Sequence, residues 1–375
     1  MQLELSDDQQ ALQDAVRAVL ERESPVSLAR RVVEEHKGAD ELWARMVELD
    51  WPALAVPEEH GGLGLGFVEL ALVAEQLGTV LAPAPFLSTA TQFVPAVVAA
   101  GDAEQRARFL GPVVREGAVG AVAVAESGGR FAPEGVAAVA RPDGDGFVLD
   151  GAKHFVFDAE LAREFVVAAR LAGTSGDDGL GLFVVPADAV RVTPMDCLDA
   201  TRGYGVVALE GVRVGPDRVL GTPGEAAGLL HGVLRQATAA LAAEMVGTCQ
   251  GIFDIVHAYM GEREQFGVKI GSFQAMKHKL ANMFVALESA RATAYFAAAA
   301  IAEDDERAAV AVAMAKASAG DCQKLLGTEG IQCLGGIGYT WEHDMHLFVK
   351  RVKTGALLFG TTAEHLEALS HLLGL

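Results

Sequence analysis

The chain has 375 residues, and fifty acidic side chains against thirty basic ones give a formal charge of −20. With 51% hydrophobic and 21% charged residues it is a folding chain rather than a disordered one, long enough for two or three domains. So acidic a balance excludes nucleic-acid binders and binders of anionic membrane surfaces, both of which present basic patches.

Residues 1–115 read as an N-terminal helical domain. The start, Met1-Gln2-Leu3-Glu4-Leu5, lacks the basic and apolar regions of a signal peptide. Ser6 followed by Gln9 predicts a capping box, and Leu12, Ala15, Val16, Val19 and Leu20 recur at helical spacing. A second amphipathic run covers Glu41–Leu49. The turn-rich stretch Pro57–Gly66 leads into a helix at Phe67–Leu77, and a further helix is expected at Ala103–Phe109.

Residues 116–220 change period. Phe147–Leu149, Phe155–Phe157, Phe165–Ala169, Leu182–Val185 and Val206–Leu209 are short β-rich runs separated by turn chemistry such as Pro142-Asp143-Gly144-Asp145-Gly146. Strands without intervening helices predict a central small antiparallel β-barrel. Pro186 and Pro194 suit strand ends.

Residues 221–375 return to helix, expected at Ala226–Met260, Phe273–Ala302, Glu306–Leu334, His343–Leu358 and Ala363–Leu373. Alanine-rich faces allow close packing in a four-helix-bundle-like C-terminal domain that also meets other subunits. The fold class is therefore multidomain α+β. No run reaches ~18 uncharged apolar residues, which predicts no membrane-spanning helix; the longest, Ala239–Cys249, is broken by Glu244.

Most chemical motifs fail. Gly62-x-Gly64-x-Gly66 and Gly335-Gly336-Ile337-Gly338 do not complete a Rossmann fingerprint, having Phe67 and Trp341 at the third required position. Cys197, Cys249, Cys322 and Cys333 form no C-x-x-C pair or zinc spacing and read as reduced packing residues of a cytoplasmic protein. His343-Asp344-x-His346 reads as capping or surface chemistry, so no metal is expected.

Three ordered stretches carry a resemblance. They are Pro57-Glu58-Glu59-His60-Gly61-Gly62-Leu63-Gly64; Arg263-Glu264-Gln265-Phe266-Gly267 with Phe273-Gln274 and Lys279-Leu280-Ala281; and Gln332-Cys333-Leu334-Gly335-Gly336-Ile337-Gly338-Tyr339-Thr340. Together with the helix–barrel–helix pattern, they resemble the acyl-CoA dehydrogenase family. The resemblance implies an FAD enzyme that oxidises an acyl-CoA thioester to the 2-enoyl-CoA and passes electrons to an electron-transferring flavoprotein. It also implies that a neighbouring subunit's residues hold the adenosine and pyrophosphate end of FAD, here Arg263, Phe266, Gln274, Gln332, Gly335 and Gly336. Arginine offers a fixed fork to phosphate oxygens, and glycines let the backbone come close. In so acidic a chain, Arg263 acts against the overall field.

The flavin side departs from the family. Ala125-Glu126-Ser127-Gly128-Gly129 stands for T-E-P-x-x-G-S, and Phe155-Val156-Phe157-Asp158-Ala159 for W-I-T-N-G, with Phe157 in place of a hydroxyl. Glu126, Phe155, Phe157 and Thr361 are the residues that would meet the flavin. The base is displaced too. Leu358-Phe359-Gly360-Thr361 stands for Y-E-G-T, so Phe359 replaces the usual glutamate, and the alternative position falls on Ala237.

Glu244, two turns beyond Ala237, is the nearest acid and the one charge between Arg235 and Asp254. A glutamate among apolar side chains suits a general base; the other reading is an ordinary helix glutamate or one that is paired. Glu364 and Glu367 are lesser candidates. The sequence thus leaves two forms open: a homo-oligomer using Glu244, or a non-catalytic partner completing the FAD site of a hetero-oligomer. Some bacterial members of the family it resembles, notably in steroid side-chain degradation, are built in the second way. A binding protein or a flavin oxidase or monooxygenase on the same fold is the other class.

Overall fold

The structure, a computed structural model, describes residues 4–375. Met1–Leu3, on which the reading of the chain's start partly rests, lie outside the described residues. The chain divides into two compact units. One comprises the segment up to Gly38, Phe67–Pro83 and Thr238–Leu375; the other comprises Ala39–Gly66 and Ala84–Ala237. The expected first zone is therefore split: part of it joins the C-terminal helices and part joins the sheet.

The first unit holds α1 (Asp7–Glu23) and α2 (Val26–Glu35). The Ser6–Gln9 capping box starts α1 and directs Val16 and Leu20 into the core. The second unit opens with α3 (Asp40–Glu48). Next comes α4 (Phe67–Thr79), which belongs to the first unit.

Within the second unit, α5 (Phe86–Ser88) and α6 (Val94–Ala100) flank a π-helical turn at Thr89–Phe93. Polar Thr89, Thr91 and Gln92, all buried, hid this stretch from a pattern search. Helix α7 (Ala103–Glu116) runs past Phe109, where the sequence suggested an end, through Pro112 to a left-handed Gly117.

The eight-stranded sheet comprises β1 (Val119–Ala123), β2 (Val139–Asp143), β3 (Gly146–Phe157), β4 (Ala162–Leu171), β5 (Leu180–Pro186), β6 (Arg191–Pro194), β7 (Tyr204–Val214) and β8 (Val219–Gly224). Strand order is β6-β7-β3-β2-β4-β5-β8, with β1 beside β4. The expectation of a purely antiparallel sheet is corrected: β1 and β2 both pair with β4 in parallel. Two expected runs, Phe147–Leu149 and Phe155–Phe157, are one twelve-residue strand. Pro186 and Pro194 end their strands, where no further ladder donor is needed.

The helices that follow match the expected ones within a few residues. They are α8 (Ala227–Glu262), α9 (Gln274–Ala302), α10 (Ala308–Leu334), α11 (Met345–Gly355) and α12 (Thr362–Leu372). Between α8 and α9 lies a hairpin of β9 (Glu264–Gln265) and β10 (Val268–Lys269). Small residues bring backbones together in the first unit. A Cβ at Gly78 of α4 would lie 2.1 Å from the Glu244 carbonyl oxygen, and one at Gly247 of α8 would lie 1.8 Å from that of Glu75. The core beneath is Cys249, Ile252, Val256, Leu287, Leu326 and Phe348. By length and composition α8 and α9 could each cross a membrane, contrary to the run-length reading. However, 78% of the most apolar window of α8 and 39% of that of α9 is buried inside the protein.

Candidate functional site

The hairpin after α8 turns on Phe266 and Gly267, both left-handed, with φ of 55° and 79°. Two such residues make the tight hairpin turn whose twist matches the flanking strands. The turn lifts the Phe266 ring to 92% exposure, with only an edge-to-face contact to Phe273. Arg263 and Gln274, at the two ends of this segment, are exposed as well.

A groove of about 470 Å³ runs between α10 and α11, lined by Gln323, Gly327, Ile331, Gln332, Gly335 and Gly336 among others. It gathers three of the six residues assigned to the adenosine side; Arg263, Phe266 and Gln274 lie outside its lining. A Cβ at Gly335 or Gly336 would meet no atom within 4 Å, so the backbone is open to a ligand. The Gln323 amide has neither nitrogen nor oxygen hydrogen-bonded. These features fit the adenosine-diphosphate half of FAD.

The base positions give a different picture. Ala237 is buried on α8. Glu244 and Arg351 are each 2% exposed, and Arg351 Nη1 donates to Glu244 Oε1 at 2.7 Å. The Glu244 carboxylate thus lies in the core against a guanidinium, as in the paired alternative of the sequence reading, and does not line the groove between α10 and α11. Glu364 serves the capping box of α12, accepting from the Thr361 backbone N–H while Thr361 Oγ1 accepts from the Glu364 N–H. Thr361 is thereby a helix cap.

Phe359 and Gly360 form a left-handed turn, with φ of 55° and 98°. His365 Nε2 lies 2.8 Å from the Phe359 carbonyl oxygen, and Lys316 Nζ donates to that of Gly360 at 2.8 Å. Burial pushes the His365 imidazole below its ordinary value, against the pull of the Phe359 carbonyl. Burial likewise pushes the Lys316 ammonium down to about 8.

In both cases the unfolded chain takes up protons that the native one refuses. Stability therefore falls as pH drops below the ordinary histidine value of 6.5, and rises between about 8 and the ordinary lysine value of 10.5. We expect thermal midpoints to show both slopes, with His365→Gln reducing the acid one and Lys316→Met reducing the alkaline one, to which Lys153, also lowered to about 8, adds its share. Slopes unchanged in these variants would contradict the assignment.

In the second unit, Glu126 Oε1 accepts from the Ala137 and Ala138 backbone N–H groups and from Lys153 Nζ, each at 2.8 Å. Burial opposes its charge, but these donors hold the carboxyl below its ordinary range, while burial pushes Lys153 down to about 8. Phe157 is buried, edge-on to Tyr204 and beneath the Arg202 guanidinium. Phe155 is left-handed, and its N–H points at Met195 Sδ. Glu126 and Phe157, two of the residues assigned to the flavin side, are thus both engaged by partners within the unit.

A larger cavity, of about 640 Å³, lies in the first unit among α1, α4, α8 and α9. Part of its wall is a polar network. Buried Glu75 accepts from Arg291 Nε at 2.8 Å and Tyr295 Oη at 2.6 Å, Gln13 donates to Tyr295, and Arg291 also holds Gln250 and Glu288. Such a network fixes helix register.

Sequence reasoning missed Gln323, Arg351 and Lys316. Lys316 stood in plain view as the one charge between Arg307 and Asp321, the same signal that singled out Glu244.

The chain matches the N-terminal, middle and C-terminal domains of acyl-CoA dehydrogenase over residues 6–117, 121–214 and 229–372. The chain belongs to the acyl-CoA dehydrogenase family. The acyl-CoA dehydrogenase IpdE2 of Mycolicibacterium smegmatis is 30% identical, over 97% of this chain and 98% of the relative. A solved glutaryl-coenzyme A dehydrogenase in complex with glutaryl-CoA superposes with a TM-score of 0.92 at 26% identity, covering 100% of this chain and 97% of that one. A "Tcur3481-Tcur3483 steroid ACAD" variant gives 0.87 at 29%, covering 98% of each chain. The three-domain fold and the oxidoreductase, flavoprotein class follow from membership of the acyl-CoA dehydrogenase family.

Proposed function

We propose that this chain is the partner subunit of a hetero-oligomeric, FAD-dependent acyl-CoA dehydrogenase. In this reading it completes the adenosine side of an FAD site and leaves proton abstraction to the other subunit. The observation that carries the proposal is the state of the acids. The two base positions hold Phe359 and Ala237, and Glu244 is engaged by Arg351 in the core. A general base must reach the proton it removes, and none of these three positions offers such a group.

When bound, FAD supplies the acceptor for the hydride that leaves the acyl β-carbon. This chain's own groups act on the nucleotide end. Gly335 and Gly336 leave room for close approach, Gln332 hydrogen-bonds, and Arg263 presents its fork to the pyrophosphate. Phe266, on a hairpin tip that its own unit leaves bare, meets the adenosine side of the FAD shared with the partner. The two-component name of the steroid relative supports a hetero-oligomer acting on a steroid-derived acyl-CoA. An electron-transferring flavoprotein is the proposed electron acceptor, and the cytoplasm the proposed compartment.

Anaerobic addition of acyl-CoA to the chain alone and to the reconstituted pair tests this. We expect no bleaching of flavin absorbance with the chain alone, and bleaching in the pair. Turnover by the chain alone would overturn the proposal, and stoichiometric peroxide in air would favour an oxidase.

A further inference from the structure

The α10–α11 groove extends well beyond the residues that the family resemblance marks. Gln323 and Gln332 line it nine positions apart on one helix, which spans about 13 Å along the axis at 1.5 Å per residue. The far end is built differently from the glycine end. Gln323 is 1% exposed, yet its amide nitrogen and oxygen both lack a hydrogen-bond partner. Gly355 makes room for that amide: a Cβ there would sit 3.4 Å from both of its polar atoms. Two exposed lysines, Lys324 and Lys353, stand on the rim at this end. Ile331 and Val349 give the middle of the groove an apolar wall, and Tyr339 lies at the glycine end.

Leaving both atoms of a buried amide unpaired costs free energy in the ligand-free protein. The arrangement makes sense when a ligand offers an acceptor to Nε2 and a donor to Oε1 together. A ribosyl phosphate does this, since its phosphate oxygens accept and its ribose hydroxyls donate. Inorganic pyrophosphate supplies acceptors, and adenosine brings no anion to the lysines. We infer that Gln323, with Lys324 and Lys353, forms the buried anchor and cationic rim for the ribosyl-diphosphate part of an adenine nucleotide in this groove. The inference rests on reading the groove as the nucleotide half of the FAD site. It adds a determinant at the end of the groove remote from Gly335.

Calorimetric titration of ADP into the full chain, as wild type and as Gln323→Met, tests the inference. The near-isosteric methionine removes the two unpaired polar atoms. We expect it to raise the thermal midpoint of the ligand-free protein and to weaken ADP about tenfold. We also expect wild type to bind ADP more tightly than pyrophosphate or adenosine. A structural glutamine would do the reverse in the first measurement, so a lowered midpoint overturns the inference. So does an unchanged ADP affinity, or a wild type that does not bind ADP. FAD uptake with the partner subunit separates the two levels. Uptake intact in Gln323→Met removes Gln323 alone, whereas uptake absent from wild type as well removes the reading beneath it.

Discussion

Glu244→Ala is expected to cost about 3–5 kcal/mol of folding stability, the range for breaking a buried ion pair by removing one member. The cause is the guanidinium left behind. Arg351 is 2% exposed and lies against α8, where water cannot replace the lost carboxylate. Crowding offers no relief, because Gly78 and Gly247 hold α4 and α8 at backbone contact beside Glu244. Arg351→Ala should cost a similar amount. A Glu244→Leu, Arg351→Leu double variant should recover much of the loss, since an apolar pair leaves no unpaired charge. Urea unfolding of the four proteins checks this. If Glu244→Ala keeps the wild-type midpoint but abolishes turnover in the reconstituted pair, Glu244 is a base after all.

How much of this was legible in the sequence follows from what each pattern reports. The long C-terminal helices were readable because Ala, Leu and Val recur there over many turns with few breakers, and α1 announced itself through Ser6 and Gln9. Strands β1, β2, β6 and β8 were not, because the short, fully buried Val119–Ala123 and half-exposed runs such as Val139–Asp143 carry no alternation. The split of the first zone between two units is a property of long-range packing, which local periodicity does not encode.

The site divides in the same way. The absence of an acid at Phe359 and Ala237 was visible from motif position alone. Whether Glu244 replaced it depended on Arg351, more than a hundred residues away in sequence. Gln323 resembled any helix glutamine until the fold left its amide unpaired. The surroundings of Phe157 were hidden for a related reason. The substitution was visible, but its burial against Tyr204 was not.

The second large effect concerns the cofactor itself. In the proposed reading its adenosine end would meet the open glycines, the free Gln323 amide and the exposed Arg263 of this chain, while on the flavin side Glu126 and Phe157 are engaged by neighbours. Half a site binds weakly, because the remaining contacts must offset the whole loss of ligand freedom. Affinity should then rise by orders of magnitude when a second subunit supplies the other half.

The direct test is the flavin absorbance of the protein purified alone, and again after mixing with FAD and the co-expressed partner subunit and removing free cofactor. We predict a colourless chain alone and a yellow, stably flavinated complex with its partner. A chain that emerges yellow by itself, with stoichiometric FAD and acyl-CoA dehydrogenase activity, would contradict the account.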